Sequence, residues 1–158
     1  MQFSALSPNG VHMKTFCNKS IQVLESLRWL PLLCLRLILA YGFLMPALQK
    51  LKNFDSVVQW FTSLNIPFPY FSAVISTTVE LTGVVFLFLG FLTRIISIPL
   101  MFLMFVAIST VHWANGFAAS ANGFEIPLYY FLMLLCLFVF GPGGISIDTL
   151  IKRRWLTN

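Results

Sequence analysis

The chain has 158 residues, of which 58 % are hydrophobic and only 9 % are charged. Soluble domains carry about 25 % charged residues, so a soluble domain does not fit this composition. The formal net charge is +5, and we assign it to flanking segments that meet anionic lipid rather than to nucleic-acid binding. The composition therefore predicts an integral membrane protein that contacts lipid and binds no nucleic acid.

Four apolar stretches recur along the chain, and the fourth is the shortest. They cover residues 29–48, 72–92, 95–114 and 126–140. A membrane-spanning helix needs about 20 mostly apolar residues. The first stretch contains Arg36 and runs on into Gln49 and Lys50 without a cleavage site, so we interpret it as a retained helix rather than a signal peptide. The pattern predicts an all-α integral membrane four-helix bundle.

Basic residues flank the stretches unevenly and predict the orientation. They precede the first span, follow the fourth and occupy the turn between the second and third: Lys14, Lys19, Arg28, Lys152, Arg153, Arg154 and Arg94. Basic residues favour the cytoplasmic side, although Lys50 and Lys52 make the first opposite loop mildly basic as well. We predict a bacterial inner-membrane location and three parts: a cytoplasmic segment 1–28, a single four-span domain 29–148 and a basic cytoplasmic tail 149–158.

The loop between the first two spans has structure of its own. Apolar residues recur there at helical spacing, namely Phe54, Val57, Val58, Phe61 and Leu64. This spacing predicts a short interfacial helix that Asn53 caps. At the other end of the domain, the run Gly141-Pro142-Gly143-Gly144 predicts a turn that ends span four.

Two charged residues lie deep within the apolar stretches, Arg36 in span one and Glu80 in span two. A central charge costs about 2.5 to 3.5 kcal/mol on insertion scales, so such residues usually face the interior of a bundle. At 1.5 Å rise per residue, a long guanidinium could close the gap between the two positions. The sequence therefore predicts that Arg36 and Glu80 pair, either as part of a site or as a purely structural ion pair.

Three further polar residues fall near the outer boundary, at the ends of spans one, three and four: Lys50, His112 and Glu125. We predict that they line one outward-opening cavity together with Glu80. Each residue also has a simpler interpretation. Lys50 could extend its ammonium to the membrane surface, His112 could anchor the interface beside Trp113, and Glu125 could complement the dipole at the start of a helix.

The sequence gives little support to an internal redox centre. Three cysteines, Cys17, Cys34 and Cys136, lack the C-x-x-C spacing of a dithiol relay. The two histidines, His12 and His112, are poorly placed for haem, which would need imidazoles on facing helices. No glycine-rich phosphate loop for a nucleotide is present in the sequence.

A copper(I) site is a further alternative, formed by Met101, Met104 and His112 on span three. Thioether and imidazole ligands suit copper(I). Methionine at such spacing more often serves packing, however. We therefore predict no metal site.

Short motifs distributed over residues 32–148 resemble the DoxX family of small four-helix membrane proteins. They are Leu35-Arg36-Leu37, Lys50, Glu80-Leu81-Thr82-Gly83, Leu89-Gly90-Phe91-Leu92-Thr93-Arg94 and Gly143-Gly144-Ile145-Ser146-Ile147-Asp148. Other runs resemble the branch of that family found beside genes for copper-binding ribosomal peptides: residues 54–61, 111–116 and 122–125.

The family name derives from a thiosulfate:quinone oxidoreductase subunit, so the resemblance implies a quinone-associated redox role. Under this hypothesis Glu80 is catalytic and exchanges a proton, and Arg36, Lys50, His112 and Glu125 hold the quinone. A soluble or peptide partner then supplies the electrons. The alternative is a non-enzymatic accessory that binds a partner protein, a small solute or a copper-binding peptide. Homo-oligomerisation is open under either hypothesis.

Overall fold

The computed structural model describes residues 21, 22 and 24–156. Most of the predicted segment 1–28 lies outside the described residues, and with it lie His12, Lys14, Cys17 and Lys19. From residue 29 onward we number the α-helices in chain order. They are α1 (Trp29–Lys52), α2 (Phe54–Ser63), α3 (Pro69–Leu89), α4 (Thr93–Ala107), α5 (Glu125–Phe140) and α6 (Ile147–Leu156). The described part contains no strand, so the predicted all-α class is confirmed.

Three described stretches are long and apolar enough to cross a membrane, Leu24–Lys52, Pro69–Leu89 and Thr93–Asn115. The third is α4 together with a π-helical turn, Ile108–His112, and a 3₁₀ turn. The fourth apolar helix, α5, has 16 residues and is therefore shorter than the roughly 20 that a spanning helix needs. The predicted membrane bundle is thus supported, with its fourth member the shortest, as expected.

The helices pack around one core. Helix α1 packs on α3 and α5, and α4 packs on α3 and α5. The buried core contains Leu39, Phe43, Leu87, Leu100, Leu134 and Leu137. Large apolar side chains also remain exposed on the outer faces of these helices, among them Ile38, Phe88, Ile98, Phe105 and Phe140. An apolar interior inside an apolar exterior is the pattern of a bundle whose solvent is lipid.

The predicted helix in the first loop is present as α2, and it packs against α3. Its Phe61 is buried, while Trp60 is partly exposed. The predicted cap is wrong, because the Asn53 side chain makes no capping hydrogen bond. Only the Asn53 backbone carbonyl accepts the first bond of the helix, from the N–H of Val57. The Asn53 side chain is available for another role.

Candidate functional site

Arg36 does not pair with Glu80, which corrects the prediction from the sequence. The Arg36 side chain is only 2 % exposed, and its donors point to the end of α3 and to the loop after α5. Nε donates to the carbonyl of Leu87 at 2.9 Å, Nη2 to Phe88 at 3.0 Å, and Nη1 to Pro142 at 2.9 Å and Ile145 at 2.7 Å. We call Arg36 and these four carbonyls the Arg36 cluster.

The Arg36 cluster satisfies backbone carbonyls that would otherwise lack hydrogen-bond donors in lipid. The last carbonyls of a helix lack intrahelical donors, and the bilayer core offers no water to satisfy them. A cation at a helix C-terminus also complements the helix dipole. Arg36 therefore joins α1 to the end of α3 and to the segment after α5 through four hydrogen bonds.

Side-chain direction explains why the predicted pair does not form. Helical side chains lean toward the N-terminus of their own helix. Because α1 and α3 are antiparallel neighbours, Arg36 leans toward the end of α3, whereas Glu80 leans toward the beginning of α3. The two charged groups therefore point away from each other.

The same directions bring Lys50 and Glu80 together. Lys50, near the end of α1, leans back toward the middle of the bundle, and Glu80 leans toward it. Lys50 Nζ lies 2.5 Å from Glu80 Oε1. Glu80 is only 4 % exposed, and its Oε2 is buried without a hydrogen-bond partner among the described residues. An unsatisfied buried acceptor costs about 1 to 3 kcal/mol, and more when it is charged.

Lys50 and Glu80 lie in the wall of a cavity of about 760 Å³, within the usual range of roughly 300 to 1,000 Å³ for small-molecule sites. Helices α1, α2, α3 and α4 and the π-helical turn all contribute to its lining. The apolar part includes Val57, Trp60, Phe61, Ile75, Val79, Phe102, Leu103 and Met104. Among the described residues that line it, only Lys50 and Glu80 are charged. The cavity is therefore an apolar chamber with one ionic group.

The cavity borders the lipid-facing surface of the bundle. Ile75 on α3 and Phe102 on α4 both line the cavity, and they are also 60 % and 65 % exposed. Both belong to stretches long enough to span the membrane. The wall of the cavity formed by α3 and α4 is therefore also part of the surface that faces the lipid.

His112 does not line the cavity, although Thr110 and Val111 of the same turn do. His112 Nδ1 lies 2.8 Å from the carbonyl oxygen of Asn122, which holds the ring against the following loop. Met104 lines the cavity but Met101 does not. The residues of the copper alternative are therefore not gathered on one wall.

Glu125 also lies outside the cavity lining. It occupies the first turn of α5, where Oε2 accepts from the backbone N–H of Ala119 at 2.9 Å and Oε1 accepts from the Tyr129 hydroxyl at 3.1 Å. This arrangement matches its interpretation as an acid at a helix start. Of the residues predicted to share one cavity, the structure brings together only Lys50 and Glu80.

Sequence reasoning assigned no role to Asp148, yet it holds the turn between α3 and α4. Its Oδ1 accepts from the backbone N–H of Leu92 at 2.8 Å, and its Oδ2 accepts from Thr93 at 3.1 Å. Asp148 thereby caps the start of α4 from a distant segment. Nearby, Arg94 donates to the carbonyl of Val139 near the end of α5. The motifs around residues 89–94 and 143–148 are thus explained by contact with each other.

Comparison with known proteins agrees with this architecture. The family model for DoxX matches residues 31–113. An uncharacterized protein of Haemophilus influenzae is 33 % identical over 134 residues, covering 80 % of this chain and 86 % of the relative. The inner membrane protein YphA of Escherichia coli is 30 % identical over 122 residues, covering 74 % and 87 %. The putative oxidoreductase CatD of Bacillus subtilis is 28 % identical over 121 residues, covering 77 % and 87 %. No solved structure matches the chain.

The fold and the cavity define a small helical membrane protein with a chamber beside the lipid. The family match covers more than half of the chain and includes Arg36, Lys50, Glu80 and Gly90. The chain belongs to the DoxX family, which confirms the resemblance seen in the sequence. Membership of the branch beside copper-peptide genes stays a prediction.

Proposed function

We propose that the protein binds a lipid-soluble quinone in this cavity and works as the membrane subunit of a quinone-linked oxidoreductase. The observation that carries the proposal is the Lys50–Glu80 pair in the wall of an apolar chamber that borders lipid. A quinone combines an apolar ring and tail with polar ring oxygens, and the chamber offers both kinds of contact. One relative, from Bacillus subtilis, is named a putative oxidoreductase.

The two charged residues have complementary roles under this proposal. An ammonium has three N–H donors, and Lys50 uses one of them on Glu80. The others can donate to a ring oxygen of the ligand. Glu80, beside it, can release or take up the proton that accompanies a change of oxidation state. The quinone supplies two-electron redox chemistry when bound, while the apolar wall keeps water away from the head group.

A soluble or peptide redox partner completes the proposal. Reduction of a quinone requires two electrons as well as two protons, and the Lys50–Glu80 pair can handle only protons. The electrons must therefore come from another molecule. Homo-oligomerisation is open.

Trp60 provides a direct test of binding, because it lines the cavity and quinones quench indole fluorescence. We expect a short-chain quinone to quench the purified protein saturably in detergent, and Trp60→Phe to remove most of that saturable component. Lys50→Met should weaken binding. Lys52→Met is the matched control, since Lys52 is exposed and lies outside the lining. Purely linear, non-saturable quenching in the wild type would contradict the proposal.

The same cavity also supports the alternative of a non-enzymatic accessory that binds a membrane-soluble molecule for a partner. A redox subunit converts the bound quinone, whereas an accessory only binds it. Purified protein with its partner should convert quinone to hydroquinone if the protein is a redox subunit, and Glu80→Gln should slow that conversion. Saturable binding without turnover would favour the accessory role.

We further propose that the protein lies in an inner membrane with both termini in the cytoplasm. The relative from Escherichia coli is named an inner membrane protein, and α6 carries Lys152, Arg153 and Arg154, as cytoplasmic flanks do. A cytoplasm-active reporter fused after Asn158 should be active, and one inserted between α1 and α2 should be silent. The reverse result would invert the topology.

A further inference from the structure

We infer that the cavity selects the hydroquinone, the reduced form that carries hydroxyl groups, over the quinone. This inference rests on the proposed function and adds the oxidation state that the site prefers. The hydrogen-bond donors and acceptors of the cavity wall carry it.

The central observation is the unused acceptor of Glu80. Its Oε1 accepts from Lys50, whereas its Oε2 is buried and has no partner among the residues described. A carboxylate paired with an ammonium can only accept hydrogen bonds. A quinone presents only acceptor oxygens, so it cannot satisfy Glu80. A hydroquinone hydroxyl can donate to Glu80, and its oxygen can accept from Lys50 at the same time.

The hydroxyl groups in the lining strengthen this preference. Ser72 donates to the carbonyl of Pro67 at 2.8 Å, Ser76 to Ala73 at 3.1 Å, and Thr110 to Val106 at 2.8 Å. All three residues line the cavity, and in this arrangement each hydroxyl proton is used within the protein. As long as these bonds are kept, the hydroxyls can only accept hydrogen bonds from a ligand.

The remaining polar groups of the lining do not reverse the preference for the hydroquinone. Gln49 and Asn53 also line the cavity, and their amides both donate and accept, so they fit either form of the ligand. Lys50 donates to either form as well. Glu80 discriminates most strongly, and the terminal torsion of a Glu side chain is soft. Rotation about this torsion would bring the free oxygen toward a ligand hydroxyl without moving α3.

Preferential binding of the reduced form has a redox consequence. It stabilises the hydroquinone and raises the reduction potential of the bound couple. Each tenfold preference corresponds to about 30 mV for a two-electron couple. The site would then favour reduction of its ligand by the partner.

Three ligands with the same short alkyl tail test the inference on the wild-type protein: a hydroquinone, the corresponding quinone, and the hydroquinone dimethyl ether. The ether keeps the ring and its oxygens but cannot donate. We expect anaerobic titration calorimetry to show hydroquinone binding about 10- to 100-fold more tightly than either of the others, as for a hydrogen bond to a charged group. The bound quinone couple should show a correspondingly raised potential.

The variant Glu80→Gln tests whether the carboxylate causes the preference for the hydroquinone. The amide brings a donor to a position that only accepts in the wild type, so the preference for hydroquinone should disappear or reverse. Asp55→Asn is the matched control, because Asp55 is exposed on α2 outside the lining, and it should keep the wild-type preference.

The outcomes separate the two proposals. If none of the three ligands binds, the proposed function fails. If the quinone or the ether binds as tightly as the hydroquinone, the proposed function stands and the inference is overturned. The wild-type ligand series decides the question even if Glu80→Gln does not fold.

Discussion

The Arg36 cluster and the Lys50–Glu80 pair both hold charge inside the bundle, yet they differ in what surrounds the charge. Arg36 donates to four carbonyls and does not line the cavity. Glu80 has one oxygen bound by Lys50 and one without a partner among the described residues, and it does line the cavity. Burial of a charge therefore does not mark a site by itself. Unused hydrogen-bonding capacity on a residue that lines a cavity is the better mark of a site.

The largest expected effect comes from breaking the Arg36 cluster. Arg36→Met removes all four donors and leaves the carbonyls at the end of α3 and after α5 without partners. We expect the free energy of unfolding to fall by about 3 to 5 kcal/mol, because each buried carbonyl left without a donor costs roughly 1 to 3 kcal/mol and the structure around it relaxes in part. Thermal unfolding in detergent measures it. Arg94→Met is the matched control, since Arg94 has one such bond at 3.1 Å, and it should cost far less.

A double-mutant cycle with Glu80→Leu sharpens the comparison. Arg36 and Glu80 share no hydrogen-bond partner within the described part of the chain, and changes at independent sites usually add within about 0.5 kcal/mol. We therefore expect no rescue when the two substitutions are combined. Recovery of stability in the double variant would show that the two charges interact after all.

A smaller effect is expected at Gly90, which lets the Arg36 guanidinium approach the end of α3. Gly90 has φ +66°, and a Cβ there would lie 2.5 Å from Arg36 Cζ. Gly90→Ala combines backbone strain with a displaced guanidinium and should cost about 2 to 3 kcal/mol. Gly90→Ala in the Arg36→Met background is the control, because it keeps the backbone strain and removes the guanidinium that the new Cβ would meet. An equal cost of Gly90→Ala in both backgrounds would contradict this account.

Much of the fold could be predicted because hydropathy and helical spacing report directly on membrane helices. The four apolar stretches and the helix α2 follow from the positions of apolar residues alone. The predicted pairing of Arg36 with Glu80 is wrong because the distance along the helix axes does not fix the direction of the side chains. The lean of helical side chains toward their own N-terminus is a signal available from sequence, and it favours Lys50 as the partner of Glu80.

Other features of the site could not be predicted from local pattern. Asp148 caps α4 although it lies 56 residues from Leu92 and 55 residues from Thr93 in the sequence. Such a contact is set by tertiary packing. The cavity itself forms between four helices and the π-helical turn, and its volume depends on how these elements meet. His112 and Glu125 lie near the predicted end of the bundle, but the loop between α4 and α5 supplies their partners.

The smallest effect on stability is expected where the effect on binding is largest. Lys50→Met combined with Glu80→Leu replaces the ion pair with apolar side chains of similar size, a change that is often neutral in buried settings. We expect the double variant to unfold within about 1 kcal/mol of the wild type, and each single variant to be less stable than the double because it leaves one charge without its partner. Binding of the hydroquinone should nevertheless weaken strongly, since neither the Lys50 donor nor the Glu80 acceptor remains. The Lys52→Met variant should retain both stability and binding. A double variant as unstable as Arg36→Met would place the Lys50–Glu80 pair in the same structural class as the Arg36 cluster, and the proposed site would have to be abandoned.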